Sequence, residues 1–136
     1  MDSVSALVRS KIMSRVRSEN TKPEMFVRRL VHAMGFRYRL HVKDLPGSPD
    51  LVFPARRKLI FVHGCFWHGH SCEAGRLPQS NTDYWSAKQA RNIARDRQSL
   101  RSLARTGWKT LVIWECELRV VDRIRRRVEK FLNGTR

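Results

Sequence analysis

The sequence predicts one α/β domain, in which helices flank a small central sheet. Apolar residues recur at helical spacing in several long segments, and short runs of strand-forming residues lie between those segments. The chain has 136 residues, of which 41% are hydrophobic, and this is enough for one core of ordinary globular composition. We therefore expect residues 1–136 to form a single domain.

Two helical segments open the chain. Residues 1–19 form a basic amphipathic helix or arm, for which packing against the core and contact with DNA both stay open. A helix is predicted to begin at Thr21 as N-cap, with Pro23 in its first turn and Glu24 placed to close a capping box. It should stop at Gly35, so Glu24 is at least a capping residue.

Four strands follow from the apolar patterns. Residues 36–42 alternate apolar and polar side chains, as a half-buried strand does. Asp50 stands before a strand at 51–53, and a short basic turn leads into the next strand at 58–62. Such a tight connection predicts a hairpin. Residues 108–114 predict the last strand.

Two further helices complete the chain. A long helix is predicted from Thr82 to Arg105, with Gly107 as its stop, and a final helix covers 118–132. One stripe of the long helix could be a solvated face with a local ion pair or a surface aimed at nucleic acid. It consists of Lys88, Asn92, Arg95 and Asp96.

The charge of the chain predicts a polyanionic partner. Lysine and arginine total 28 against 12 acidic residues, which gives a net charge of +16. Nucleic acid is favoured over an anionic membrane, because no basic helix carries an aromatic lipid-facing side. No apolar run suits a signal peptide or a bilayer span, so a cytoplasmic, nucleoid-associated protein is expected.

The cysteines predict a metal site. Disulfides are rare in the cytoplasm, and the three cysteines of the chain cannot all pair with one another. Cys65, His70 and Cys72 lie in one loop, and Cys116 follows the last strand. Three thiolates and an imidazole suit a tetrahedral structural zinc ion, and buried free cysteines beside a surface histidine are the alternative.

A hydrolytic site is predicted at the end of the hairpin. The Asp50 carboxylate and the Val62 backbone carbonyl could share a hard cation such as magnesium. Glu24 could hold a metal-bound water, and His63 or His68 could accept the proton of an attacking water. A turn aspartate and ordinary surface histidines are the alternative.

Aromatic residues lie between the expected zinc ligands. A loop pinned by metal could push Phe66 and Trp67 outward as a wedge between base pairs, with Trp85 assisting from the long helix. A mismatched step would be cheaper to open than a paired one. Core packing of these side chains is the alternative.

Four segments, in this order, resemble the very short patch repair (Vsr) endonucleases of bacteria. The likeness runs from about Ser10 to Leu118. The segments are SKIMSRVRSENTKPE, LPGSPDLVF, IFVHGCFWHGHSC and NIARDRQSLRSLARTGWKTLVIWECEL. The resemblance implies a restriction-endonuclease-like fold of the PD-(D/E)xK superfamily, with a mixed central sheet and structural zinc. It also implies a magnesium-dependent, strand-specific nick beside the thymine of a T:G mismatch that arises from 5-methylcytosine deamination in double-stranded DNA.

The resemblance also assigns roles. Asp50 would bind magnesium together with the Val62 carbonyl, His68 would be the general base, and His63 and Glu24 would support the phosphate and the metal-bound waters. The implied zinc ligands are Cys65, His70, Cys72 and Cys116. The implied intercalating residues are Phe66, Trp67 and Trp85. The further implied DNA contacts are Met13, Lys88 and Asn92. The second acid and the lysine of the wider superfamily are missing between Asp50 and Val62. The resemblance implies that histidine residues take over the catalytic role of this missing acid and lysine.

Partners and alternatives complete the prediction. A monomer is expected, with mismatch-repair proteins and a cognate cytosine-5 methyltransferase as candidate partners and no membrane contact. Two other functions stay open: a non-catalytic, zinc-stapled DNA-binding module, and a structure-specific nuclease of the same fold. Asp50, Glu24 and His68 discriminate between an enzyme and a binding module, because a binding module needs none of them at one sheet edge.

Overall fold

The structure is a computed structural model that describes residues 21–65, 68, 70, 72 and 80–134. The predicted basic arm with Met13, and the aromatic pair Phe66 and Trp67, lie outside these described residues. The helices are α1 (Lys22–Ala33), α2 (Thr82–Arg105) and α3 (Val121–Asn133), and the strands are β1 (Leu51–Phe53), β2 (Lys58–His63) and β3 (Lys109–Trp114). Short 3₁₀ turns span Pro54–Arg56 and Glu115–Arg119.

The described strands form a mixed sheet in the order β1-β2-β3. β1 and β2 pair antiparallel, with Leu51 opposite Ile60, which confirms the predicted hairpin. β2 and β3 run parallel, with Ile60 opposite Leu111. A parallel pair needs a long crossover connection, and α2 lies within that connection.

Each face of the sheet has its own apolar cluster. Ile60 points to the cluster that contains Val27 of α1 and Ile124 of α3. Leu59, the next residue along β2, points to the opposite cluster, which contains Leu103 of α2. The alternation of strand side chains therefore places the sheet between α1 and α3 on one face and α2 on the other. Among the described helices, none is both long enough and apolar enough to cross a bilayer.

The first described helix begins as the sequence predicts. The Thr21 hydroxyl oxygen accepts a hydrogen bond from the Glu24 backbone N–H at 3.4 Å, and Pro23 lies in the first turn. The helix ends at Ala33, and Gly35 then adopts a φ of 97°, which glycine adopts without steric cost. The Glu24 carboxylate is buried, with its side chain only 3% exposed, and its Oε2 lies 3.5 Å from Nη1 of Arg28. Closure of the capping box by this carboxylate stays a prediction.

The predicted strand at 36–42 is wrong. Only Arg39 pairs with the sheet, through an isolated bridge in which Arg39 and Val52 exchange two backbone hydrogen bonds of 2.8 and 2.9 Å. The alternating pattern arises because Phe36 and Tyr38 both pack against the α1 and α3 side of the sheet. At His41 the backbone turns to a φ of 54°, which ends the extended conformation.

The final helix begins later than the predicted start at 118. The 3₁₀ turn Glu115–Arg119 occupies that position, and α3 begins at Val121. The Glu117 carboxylate accepts a hydrogen bond of 2.9 Å from the Trp114 backbone N–H and pairs with Arg127 of α3. These contacts stabilise a tight turn where the apolar spacing alone predicted a continuous helix.

A buried lysine joins the sheet to the end of α3. The ammonium group of Lys58, whose residue is 5% exposed, donates hydrogen bonds to the carbonyl oxygens of Phe131 at 2.6 Å and Gly134 at 3.1 Å. Carbonyls at a helix C-terminus lack partners within the helix and carry partial negative charge. We expect Lys58→Met to lower the free energy of unfolding by about 1–3 kcal/mol in urea denaturation.

Lys130→Met is the matched control, since Lys130 is exposed on α3. It should leave the unfolding free energy within about 0.5 kcal/mol of the parent. Equal stability of both variants would show that the Lys58 contacts contribute nothing net.

Candidate active site and metal centre

A cleft of about 450 Å³ opens where the hairpin strands end. Its walls come from α1, the loop before β1, the end of β2 and the middle of α2. It is lined by every residue to which the sequence assigned a part in hydrolysis, namely Glu24, Asp50, Val62, His63 and His68. The structure therefore brings together side chains that are up to 44 positions apart in the chain.

The hairpin register places Asp50 beside Val62. The Asp50 backbone N–H donates to the Ile60 carbonyl at 3.2 Å, and its carboxylate Oδ2 accepts from the Val62 N–H at 2.6 Å. The structure thus shows the Val62 N–H, rather than its carbonyl, in contact with Asp50. Metal binding through the Val62 carbonyl stays a prediction.

Asp50 lies in a poorly solvated environment beside a second acid. Burial raises the pKa of Asp50 to about 7, repulsion from Glu24 acts in the same direction, and the Val62 hydrogen bond opposes them. A divalent cation would relieve the repulsion between the two carboxylates. Carboxylate oxygens are the donors that magnesium prefers, so this pair fits the cation that the sequence resemblance implies.

Two histidines that line the same cleft lie against each other. The rings of His63 and His68 are stacked, with centroids 3.8 Å apart and planes 4° from parallel. Burial and the neighbouring His68 lower the pKa of His63 to about 4, although Asp96 acts in the other direction. His63 is therefore neutral at pH 7, and within the described residues its buried Nδ1 has no hydrogen-bond partner.

Asp96 holds the second histidine. Its Oδ2 lies 2.5 Å from His68 Nδ1. A carboxylate on Nδ1 fixes the ring orientation and leaves Nε2 to accept a proton. The sequence analysis placed Asp96 on a helical stripe and gave a local ion pair as one interpretation. Its partner in the structure is His68, 28 residues away in the chain, and the sequence pattern did not indicate this contact.

The predicted DNA contacts on α2 have different environments. Trp85 is 1% exposed and shares a buried stripe with Gln89 and Asn92 at helical spacing. Trp85 is thus buried rather than exposed as a wedge, and its intercalation stays a prediction. Asn92 lines the cleft, and the Lys88 ammonium lies 5.8 Å from the centre of the Tyr84 ring.

The predicted zinc ligands form one cluster. Each of Cys65, His70, Cys72 and Cys116 offers a donor atom, and these atoms all lie within 4.8 Å of one another. Cys116 Sγ is 3.5 Å from His70 Nδ1, and the Cys116 backbone N–H donates to Cys65 Sγ at 3.4 Å. Tetrahedral zinc needs donor separations of about 3.3–3.8 Å, so a small contraction would complete the site.

The electrostatics of this cluster also suit a cation. Burial raises the pKa of Cys65 to about 12, and the neighbouring sulfurs of Cys72 and Cys116 act in the same direction, against the Cys116 backbone N–H. Burial likewise raises the pKa of Cys116. Thiols ionise readily when a zinc ion supplies positive charge. The donor set therefore favours metal ligation over three unrelated buried cysteines.

Trp114 connects the metal cluster to the histidine pair. Its ring stacks on His70 at a centroid distance of 4.2 Å and an angle of 17°. The same ring meets His63 edge-on, at 5.1 Å and 75°. The cysteine cluster and the cleft are therefore contiguous, and the position of the histidines depends on the end of β3.

Sequence comparisons identify relatives over most of the chain. The family described as DNA mismatch endonuclease Vsr matches residues 1–74. The chain is 51% identical over 132 residues to "Type II nicking enzyme V.XorIIP" of Xanthomonas oryzae pv. oryzae, covering 97% of each protein. It is 39% identical over 111 residues to "DNA mismatch endonuclease Vsr" of Escherichia coli, covering 82% of this chain and 71% of that protein.

A solved structure shares the fold. The catalytic domain of the homing endonuclease I-Bth0305I superposes with a TM-score of 0.58 at 21% sequence identity, covering 82% of this chain and 94% of that domain. This likeness confirms the predicted restriction-endonuclease-like class, with a small mixed sheet flanked by helices.

Proposed function

We propose that this chain, which belongs to the Vsr family of DNA mismatch endonucleases, nicks one strand of double-stranded DNA beside the thymine of a T:G mismatch. The chain is a DNA endonuclease. Its specificity for a T:G mismatch, its choice of the strand to cut and its dependence on magnesium are what we propose. The observation that carries the proposal is the meeting of Asp50, Glu24, His63 and His68 in one cleft. A DNA-binding module without catalysis needs no such set.

Magnesium would be held by the Asp50 carboxylate and the Val62 carbonyl, with Glu24 contacting it through water. The cation would stabilise negative charge on the phosphate and help to orient the water. The burial of Asp50 beside Glu24, where the two carboxylates repel each other, supports this assignment. Removal of magnesium with a chelator should abolish nicking of a T:G duplex, and nicking that persists in the chelator would contradict a metal-dependent reaction.

Two histidines would divide the remaining chemistry. Water attacks the phosphorus atom, and His68 takes the proton of that water at Nε2 while Asp96 holds Nδ1. The bond from phosphorus to the sugar oxygen opposite the attacking water breaks, that oxygen takes a proton from solvent to become a hydroxyl, and His68 returns its proton to solvent. His63, which is neutral, supports the phosphate without introducing a second charge beside His68.

DNA contacts would open the mismatch. We propose that Phe66 and Trp67 wedge into the duplex, which costs less at a mismatched step than at a paired one. Further DNA contacts would come from the basic arm 1–19, which includes Met13, and from Lys88 and Asn92 of α2. Trp85 would join the wedge once its indole ring leaves its buried position. The net charge of +16 supports binding to the phosphate backbone.

Zinc would have a structural role in this enzyme. Cys65, His70 and Cys72 would tie the loop after β2 to Cys116, which follows β3. Four protein ligands leave no open position for substrate, so the ion would stabilise rather than react. We further propose a monomer in the bacterial cytoplasm, associated with the nucleoid, with mismatch-repair proteins and a cognate cytosine-5 methyltransferase as partners.

Asp96→Asn tests the role of His68. An amide lacks the negative charge that stabilises the imidazole when it gains a proton, and its N–H can hold the ring in the wrong tautomer, so we expect kcat to fall by about 10²–10⁴. The KM for DNA should stay unchanged, because Asp96 contacts His68 and not the substrate. Single-turnover nicking of a T:G duplex provides the measurement.

Asp122→Asn is the matched control, since Asp122 is 74% exposed on α3 and pairs with Arg125, three residues further along the same helix. It should nick at the parental rate. A parental rate for Asp96→Asn as well would remove Asp96 from the proposed mechanism.

A further inference from the structure

His41 lines the cleft but has no part in the mechanism proposed above. Its side chain is 26% exposed, and its Nε2 lies 3.9 Å from Oε2 of Glu24. This distance is longer than a direct hydrogen bond and is one at which a water molecule can mediate the contact. The cleft therefore contains a third histidine, which lies beside Glu24 of the acid pair.

The backbone at His41 is in an unfavourable conformation. Its φ of 54° lies in the left-handed region, which residues with a Cβ seldom adopt. Two residues earlier, Arg39 is fixed to Val52 by the isolated bridge. Such outliers concentrate where the side chain has a task, because the surrounding structure must hold them in place. Here the turn occurs at the position from which an imidazole reaches Glu24.

Glu24 needs to be held by groups on more than one side. Its side chain is 3% exposed, and it repels the neighbouring Asp50. Arg28, on the same helix, approaches Oε2 to 3.5 Å. His41 belongs to a different segment of the chain, so it can fix the carboxylate relative to the loop that leads into β1.

We infer that His41 is a positioning residue, whose imidazole holds the Glu24 carboxylate in the cleft toward Asp50 and so supports the water-mediated metal contact. This inference rests on the proposed nicking function. His41 touches neither the scissile phosphate nor the metal in this role. Loss of such a supporting contact typically reduces metal affinity or activity by about 10–100-fold.

The conformation of His41 permits a test that separates fold from function. His41→Gly relieves the backbone, because glycine adopts a positive φ freely. This relief offsets the greater freedom of the unfolded chain, so the variant should fold with a stability close to that of the parent. We expect its nicking rate on a T:G duplex to fall by about 10–100-fold, with an unchanged KM for DNA and a higher magnesium concentration at half-maximal rate. His41→Gln keeps a side-chain N–H for Glu24 and should recover part of the rate.

A second readout does not depend on activity. Calorimetric titration of the DNA-free protein with Mn²⁺ alone should show affinity about tenfold weaker in His41→Gly than in the parent. His32→Asn is the matched control, because His32 is an exposed histidine in the last turn of α1. It should match the parent in both assays.

The outcomes separate this inference from the proposed function. If the parent nicks T:G and His41→Gly equals it in rate and Mn²⁺ affinity, His41 is a local structural residue and the inference is overturned. If the parent fails to nick but His41→Gly binds Mn²⁺ about tenfold more weakly, the proposed function fails and the positioning role stands. If the parent neither nicks nor binds Mn²⁺, both are overturned.

Discussion

Replacing Asp50 with asparagine is expected to reduce nicking of a T:G duplex by a factor of about 10³ or more while leaving DNA binding nearly intact. The amide removes the charge that would hold magnesium, and a catalytic cation contributes several kcal/mol to the transition state. The amide can still accept the hydrogen bond from the Val62 N–H, so the hairpin should keep its register. Nicking rates and DNA affinity, measured at the same salt concentration, check this prediction.

The same variant should be more stable than the parent in metal-free buffer at pH 8. The pKa of Asp50 rises from 3.8 to about 7 on folding, so the folded chain holds this proton more tightly than the unfolded chain does. The resulting stability is fully present below the unfolded value and is lost as pH rises through about 7. At pH 8 the parent therefore carries an ionised, poorly solvated carboxylate that asparagine removes.

Urea denaturation in a chelator at pH 4 and pH 8 measures this difference. Asp50→Asn should gain a few kcal/mol at most over the parent at pH 8, and the gain should shrink toward pH 4. Asp122→Asn should show no comparable dependence on pH, since Asp122 is exposed. A less stable Asp50→Asn at pH 8, with nicking and DNA binding lost together, would make Asp50 a structural residue.

Cys116→Ser is expected to have the largest effect on stability. The free energy of binding structural zinc is about 10–16 kcal/mol in small zinc domains, so loss of one ligand should cost several kcal/mol. Cys116 also lies two residues beyond the end of β3, whose Trp114 contacts His63 and His70. We therefore expect the variant to lose zinc, unfold at lower urea concentration and nick poorly.

Metal content by mass spectrometry, together with urea denaturation, checks the zinc prediction. The parent should contain one zinc ion per chain, and Glu115→Gln, an exposed neighbour on the same turn, should behave like the parent. Full zinc content and unchanged stability in Cys116→Ser would remove Cys116 from the ligand set.

Local signals predicted most of the fold. The long helix runs from Thr82 to Arg105 as expected, because Gly107 adopts a φ of 88° and ends it. The hairpin followed from two apolar runs separated by a short turn. The prediction of a strand at 36–42 was wrong because Phe36 and Tyr38 pack on the same side. This packing produces the alternating pattern of a strand without the backbone hydrogen bonds of strand pairing.

Part of the candidate active site and metal centre could be predicted from the residue types and their spacing. The cluster of Cys65, His70, Cys72 and Cys116 could be predicted because few other roles explain three thiols and an imidazole in this pattern. The burial of Trp85, the contact between Asp96 and His68, and the approach of His41 to Glu24 could not. They depend on how α2 and the loop before β1 pack against the sheet, which no local spacing encodes.

The most direct test compares labelled duplexes that carry T:G or T:A at one position, in several sequence contexts with magnesium. The expected result is cleavage of the thymine-containing strand of the T:G duplex alone, which is lost in His68→Ala. Equal cleavage of both duplexes would contradict mismatch-specific nicking and indicate a nuclease of the same fold that ignores the mismatch.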